Sequence, residues 1–350
     1  MTDIIDKEKT GQIPTLAGIC FTSFRFFFAI TLALTTNLIT DDPRITGTSA
    51  IVCFLCLMID QRSDLKGRLI GNFLLAATIA LSCSLGMLIA GHPYEKWLLL
   101  FCACIGVSML PFAEKYWWLL GKTSIVMFML CVFDFRPNEQ SLIGFGIGIV
   151  ISTITMILDS LIWKEKNLGA RPLDQFVALL KDSKNPLVFS VISATCLALC
   201  MSSAALLFKV MEPAWVGIAF VYLINKNFTR GFSMALKRLG GAFFGFLICL
   251  ALVPLTIHHP LLLGILMVLS VCCVPIFIVK EFSVAYTFIT VFILLAIDWM
   301  TRSFGGDGFL LAWRFFDTCY GVFWALILLI IADFQGFISS IKVLRQKISG

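Results

Sequence analysis

Four arginines and an aspartate stand inside or against sequence that is otherwise apolar: Arg25, Arg68, Arg238, and the pair Arg314 and Asp317. A guanidinium stays charged at any physiological pH and grips a carboxylate through two parallel hydrogen bonds, which suits such a set to holding or steering an organic anion. Near a bilayer centre each ionisable side chain costs at least about 2.5–3.5 kcal/mol, so each needs a function or a partner. Arg25 reads as a pathway residue or as a snorkelling cation. Arg68 and Arg238 singly read as loop anchors. Arg314 and Asp317, three apart on one helix face, read as a structural ion pair or as a gate or proton relay. Trp215 after Pro213, together with Tyr286 and Thr290, offers stacking and hydrogen bonding to a planar substrate, with helix packing as the competing reading. Asp134 and Asp298 are further proton-accepting candidates.

Repetition strengthens the case for the arginines. Pro43, Arg68 and Gly71 recur 170 residues later as Pro213, Arg238 and Gly241, and His92-Pro93 has a near counterpart in His259-Pro260. The chain therefore reads as one bundle written twice. Gly67-x-x-x-Gly71, Gly241-x-x-x-Gly245 and Gly144-x-Gly146-x-Gly148 strip side chains from helix faces and let backbones approach closely. Gly71 and Gly241, one turn from an arginine, also clear space beside it.

Composition says where these residues sit. Of 350 residues 59% are apolar and 14% charged, and 33 are Phe; the mean hydropathy is +0.95. That places the chain in a lipid bilayer. The long, unalternating apolar runs exclude a β-barrel, so the class is all-α. Spans are expected at 18–40, 44–60, 67–90, 97–112, 117–133, 141–163, 190–209, 212–225, 236–257, 261–279, 282–300 and 310–332. The first is too long for a signal-peptide core and is expected to remain. With the N-terminus in the cytoplasm, the outer side collects only Arg44, Lys96, Arg136, Lys209 and Arg302 of the loop cations. The positive-inside rule thus supports about twelve transmembrane helices with both termini cytoplasmic. An even number of spans per copy makes the two six-helix repeats parallel. The expected division is 1–163 and 190–333 for the repeats, 164–189 for a cytoplasmic connector, read as an amphipathic surface helix or a solvated linker, and 334–350 for a cytoplasmic tail.

Other chemistries find little support. Gly121-Lys122-Thr123 imitates the end of a phosphate-binding loop, but Tyr116 stands where the loop needs glycine. No Ser-His-Asp set, carboxylate pair or metal-binding helix is evident, so neither an enzyme nor a cofactor is expected. The 13 cysteines fall mostly inside apolar runs and read as small packing residues. A net charge of +6 spread among loops does not form a nucleic-acid face.

Arg25 early in the first helix, Pro213-Ala-Trp215, Arg68-Leu-Ile-Gly71, Arg238-Leu-Gly-Gly241, and Arg314-Phe-Phe-Asp317-Thr318-Cys-Tyr-Gly321 together resemble the fusaric-acid-resistance, or aromatic acid exporter, superfamily. The chain is similar to a compact member without a large cytoplasmic domain. Pro43-Arg-Ile departs from the family, which places an aromatic there, and Asn72 and Ala242 replace the threonine usual after the motif glycine. The resemblance implies a bacterial inner-membrane efflux protein for aromatic carboxylic acids, working with a periplasmic membrane-fusion adaptor. Taken with the residues, it makes proton-coupled export of a small organic anion the expected function. The pathway would run between the repeats or across a homodimer, with Arg25, Arg68 and Arg238 supplying positive potential and Asp317 coupling the proton. A passive anion channel and a non-transporting scaffold are the alternatives.

Overall fold

The structure, a computed structural model, describes residues 16–334 except 61–62, 93, 109–114, 135–137, 163–170, 173, 176–186, 208–211, 226, 257–258, 279 and 302–307, and beyond them Gly336 and Ile338. Most of the expected connector and tail, and the side chain of Asp134, lie outside the described residues.

Twelve helices account for the twelve apolar runs, and the described residues contain no strand: α1 Leu16–Thr35, α2 Pro43–Ile59, α3 Leu65–Ile89, α4 Glu95–Ser108, α5 Lys115–Met129, α6 Glu139–Ile162, α7 Leu187–Leu207, α8 Pro213–Leu223, α9 Phe228–Thr256, α10 Pro260–Ile278, α11 Phe282–Thr301 and α12 Gly308–Ala332. A one-turn helix, Asn37–Thr40, follows α1, and α5 runs on as a π-helix over Leu130–Asp134. Among the described residues nine helices are long and apolar enough to cross a membrane, which makes this a multi-pass membrane protein. Pro43–Ile59 and Pro213–Leu223 are apolar but shorter.

One helix starts well before its expected boundary. Phe228, Gly231, Ala235 and Arg238 are buried and lie on one face of α9, whereas Thr229, Arg230 and Lys237 are exposed. The charged stretch is therefore an amphipathic extension of the helix, begun by Asn227, whose side chain accepts from the Arg230 N–H at 3.0 Å. Arg238 lies in the third turn and does not open the helix.

The chain divides into two compact units. Unit one takes Met1–Ala77, Pro137–Asp174 and Gly240–Ala312; unit two takes Thr78–Arg136, Gln175–Leu239 and Trp313–Gly350. Each thus draws on both halves of the sequence. Unit one holds α1, α2, the start of α3 and α6 with the end of α9, α10 and α11. Unit two holds α7, α8, the start of α9 and α12 with the end of α3, α4 and α5. The packing partners correspond as well. In unit one α10 packs on α11 and α1, and α2 on α1 and α11; in unit two α4 packs on α5 and α7, and α8 on α7 and α5. Counting round the chain, a shift of six helices turns each set into the other.

Glycine permits the closest approaches, because lipid offers no hydrophobic drive for helix association and contact must come from packing. In unit one a Cβ at Gly144 would lie 2.5 Å from the Ile45 carbonyl oxygen of α2, and one at Gly148 would lie 2.9 Å from that of Ser49. In unit two Gly321 of α12 plays the same part against α8, where a Cβ would strike the Val216 carbonyl and the Ala219 methyl. Buried Met129, Leu197, Met201, Val216, Phe220 and Leu328 fill the core of unit two.

Candidate functional site

Helices α2 and α8 share a construction whose ends carry the charged clusters described below. Each opens with proline at its first position, where the missing N–H has no helical partner to lose. Each follows an acidic, extended residue: Asp42 (φ −121°, ψ 112°) and Glu212 (φ −88°, ψ 112°). Asp42 caps its own helix, accepting from the Arg44 N–H at 2.8 Å, whereas Glu212 makes no capping bond. The other ends also agree, with Asp60 at φ −56°, ψ 119° and Ile224 at φ −53°, ψ 116°. One backbone break carries a carboxylate and the other a hydrocarbon.

In unit one the carboxylate gathers cations. Arg25 Nη2 lies 2.5 Å from Asp60 Oδ2, and Arg68 Nη2 lies 2.7 Å from the same oxygen. Asp159 of α6 completes the group, 3.1 Å from Arg25 Nε and 2.5 Å from Arg68 Nη2. All four side chains are at most 7% exposed. Two guanidiniums and two carboxylates leave no net formal charge. Arg25 does not snorkel, and the positive potential expected of Arg25 and Arg68 is matched inside the unit. The sequence reading missed both Asp60 and Asp159; an acid near the end of an otherwise apolar run was the available signal. Outside the spans, Arg171 grips Asp64 with two hydrogen bonds of 2.9 and 2.7 Å, which hold the Asp64 carboxyl below the usual carboxylate range.

In unit two the acid stands at the start of α8. Arg314 of α12 places Nη1 2.5 Å from Glu212 Oε2 and 3.4 Å from Asp317 Oδ2, with its guanidinium carbon 4.4 Å from the centre of the Trp215 ring. Arg314, Asp317 and Gly321 share one face of α12, and the close approach at Gly321 brings that face against α8. Asp317 is 1% exposed and its Oδ1 has no hydrogen-bond partner among the described residues. Glu212 is 39% exposed. Three expected residues, Arg314, Asp317 and Trp215, are thus brought together, and Glu212 joins them unforeseen. An acid that precedes a helix-opening proline without capping it was the missed signal.

At the other end of α8, about 16 Å away at 1.5 Å per residue, the charges differ. Lys122 of α5 is 1% exposed. Its Nζ donates to the carbonyl oxygens of Tyr222 at 3.0 Å and Ile224 at 3.4 Å and sits 3.6 Å from the centre of the Trp118 ring. These carbonyls belong to the last turn of α8, where no helical N–H reaches them and the helix dipole is negative. The Arg238 guanidinium carbon lies 5.4 Å from the centre of the Tyr222 ring.

The remaining candidates lie apart from these clusters. Tyr286 and Thr290 of α11 belong to unit one, where they pack on glycines: a Cβ at Gly241 would lie 2.9 Å from the Tyr286 Cβ, and one at Gly245 would lie 2.7 Å from the Thr290 Cβ. The Thr290 hydroxyl donates to the Tyr286 carbonyl at 2.9 Å. Asp298 is buried near the end of α11 in the same unit.

Residues 197–328 match the family model described as fusaric acid resistance protein-like. No curated protein and no solved structure matches the chain.

Proposed function

We propose that this chain, whose match over residues 197–328 supports its membership of the fusaric-acid-resistance superfamily, exports small organic anions, aromatic carboxylates above all. The observation that carries the reading is the cluster at the start of α8: a guanidinium over the Trp215 ring, held between a half-exposed acid and a buried one. Arg314 suits a carboxylate in two parallel hydrogen bonds, and Trp215 suits the flat ring of the same molecule. Glu212 is the acid an incoming carboxylate displaces. Asp317, buried with one oxygen free of hydrogen bonds, is the group that takes up and releases the proton whose gradient supplies the energy.

The exchanged membership of the two units supports a parallel duplication of six helices. The charge distribution of the loops supports an inner-membrane location with both termini cytoplasmic. A periplasmic membrane-fusion adaptor and a homodimeric assembly belong to the same proposal.

Proteoliposomes loaded with benzoate test it. Wild-type protein is expected to empty them against a benzoate gradient when a pH gradient is imposed, and a protonophore is expected to stop this. Flux that runs only downhill and ignores the protonophore would make the protein a passive anion conduit. No flux of any aromatic acid would overturn transport.

A further inference from the structure

Two thiols of unit two meet where α3 packs against α5. Small residues set the register of the two helices. The Ser82 and Ser124 hydroxyls are 2.7 Å apart, and one turn further a Cβ at Gly86 would lie 3.1 Å from the Phe128 carbonyl oxygen and 2.9 Å from the Cys131 Cβ. Cys83, three residues before Gly86, lies on the same side of α3. It thereby comes against Cys131, and each thiol is the other's hydrogen-bonding partner. Both are free cysteines. Cys131 is 3% exposed, whereas Cys83 is half-buried and stands beside the exposed Ser84 and Leu85. Cys131 also belongs to the π-helix Leu130–Asp134, a local widening of the helix that is frequent at functional sites.

Packing alone does not ask for this pair. In unit one Gly245 of α9 approaches α11 in the same manner, a Cβ there lying 2.9 Å from the Thr287 carbonyl oxygen and 2.7 Å from the Thr290 Cβ. The residue met is a threonine whose hydroxyl bonds back to its own helix, and three residues before the glycine stands Ala242. An alanine and a threonine thus fill a contact of this shape, and unit two fills it with two sulfurs.

From these contacts we infer that Cys83 and Cys131 form a redox-active dithiol, a modification site at which a small lipid-soluble disulfide closes a reversible bond between α3 and the π-helix. Cys83 is the sulfur reached first, because Cys131 is covered. The Cys83 thiolate attacks one sulfur of the small disulfide and expels the other as a thiolate. Cys131 then gives up its proton and attacks the Cys83 sulfur, expelling the second thiolate. Two cysteine thiols and one small disulfide become one protein disulfide and two small thiols, which carry off the two protons. The product is neutral, as an apolar interior requires. The bond closes a loop that contains all of α4, so it restricts the unfolded chain and stabilises the folded one. The site stands whether or not the chain transports anything.

The test treats the full chain in detergent with dithiodipyridine, alkylates the thiols that remain, and identifies the digested peptides by mass spectrometry. A thiol with no partner in reach keeps one pyridyl group as a mixed disulfide, whereas a dithiol releases both pyridyl groups and joins its two peptides. Wild-type protein is expected to yield the Cys83 and Cys131 peptides joined to each other, and dithiothreitol to separate them. The oxidised protein should melt at a higher temperature than the reduced one. Cys83→Ala with Cys131→Thr, which copies the residues found at the unit-one contact, should fold and lose both the joined peptides and that part of the melting shift. If the double variant does not accumulate, Cys83→Ala alone decides, because its Cys131 should then join no other cysteine. Wild-type protein whose Cys83 and Cys131 each keep a pyridyl group, or are alkylated unchanged after the oxidant, would overturn the inference and return both to packing. A Cys131 that joins another cysteine in Cys83→Ala would overturn it as well.

Discussion

The end of α2 and the end of α8 present one backbone shape with two electrostatic outcomes. At Asp60 the chain supplies its own counter-charge, and Arg25, Arg68, Asp60 and Asp159 close into a neutral, buried quartet. At Ile224 it supplies carbonyl oxygens, its own and that of Tyr222, to which the Lys122 ammonium donates. One break therefore sits among ion pairs, and the other, on a helix six residues shorter, receives a lysine. Arg25 and Arg68 of unit one fasten four helices, and on the proposed reading it is Arg314 of unit two that meets the cargo. Arg68 opens its helix and Arg238 lies in the third turn of its own, so a shared motif does not by itself give two residues one setting.

Removing one member of the quartet should have the largest effect. Asp60→Ala leaves two buried guanidiniums sharing Asp159, and breaking a buried pair in this way costs about 3–5 kcal/mol. Denaturant unfolding in detergent should show that loss, or the protein should fail to accumulate. The double variant Arg68→Met with Asp60→Leu removes charge in a balanced manner and should recover much of it. Equal losses in the single and double variants would break the claim that the quartet acts through charge.

Gly321→Leu follows. Its side chain would meet the Val216 carbonyl and the Ala219 methyl, and overpacking of this kind costs about 1–3 kcal/mol. Because it also spreads α12 from α8, benzoate efflux should fall further than folded protein does when both are measured on the same preparation. A third contrast sharpens the division within unit two. Asp317→Asn should abolish uphill benzoate export while leaving downhill exchange, whereas Arg314→Lys should weaken both, by roughly tenfold if about 1.4 kcal/mol of binding is lost. Loss of downhill exchange in Asp317→Asn would place that residue in anion binding and not in coupling.

The smallest effect belongs to the exposed pair. Arg171→Ala removes both hydrogen bonds to Asp64, and a solvent-screened surface pair of this kind contributes little. The Asp64 carboxyl is held below its ordinary value by Arg171, so this contribution is present above the unfolded value near ~3.9. It is lost as pH falls through the lower folded value. The difference in stability between wild type and Arg171→Ala should be constant from pH 5 to neutrality and shrink below about pH 4. A difference that instead grows on acidification would contradict the pairing.

Much of this architecture was legible because lipid imposes simple demands. Each uncharged apolar run must satisfy its own backbone bonds, and so each of the twelve became a helix. The start of α9 was misplaced because Arg230 and Lys237 read as loop residues, although Phe228, Gly231, Ala235 and Arg238 keep one buried face. Arg314 and Asp317 could be paired from spacing alone, being neighbours on one turn. Asp60, Asp159 and Glu212 could not be assigned, because the partners of an acid depend on which helices meet, and Arg25 and Asp159 stand far apart in the chain. Lys122 was hidden for another reason. Its sequence neighbours suggested a nucleotide loop, and only the carbonyls of Tyr222 and Ile224 reveal its setting.

The difference between the units is tested most directly by removing the arginines of each in turn. Efflux of radiolabelled benzoate would be measured from proteoliposomes holding wild-type protein, Arg314→Met, or the balanced variant Arg68→Met with Asp60→Leu, at equal amounts of folded protein. The account predicts that Arg314→Met is close to inactive and that the balanced variant of the quartet keeps its efflux. Efflux at the wild-type rate in Arg314→Met would show that cargo never needs that guanidinium and would contradict it.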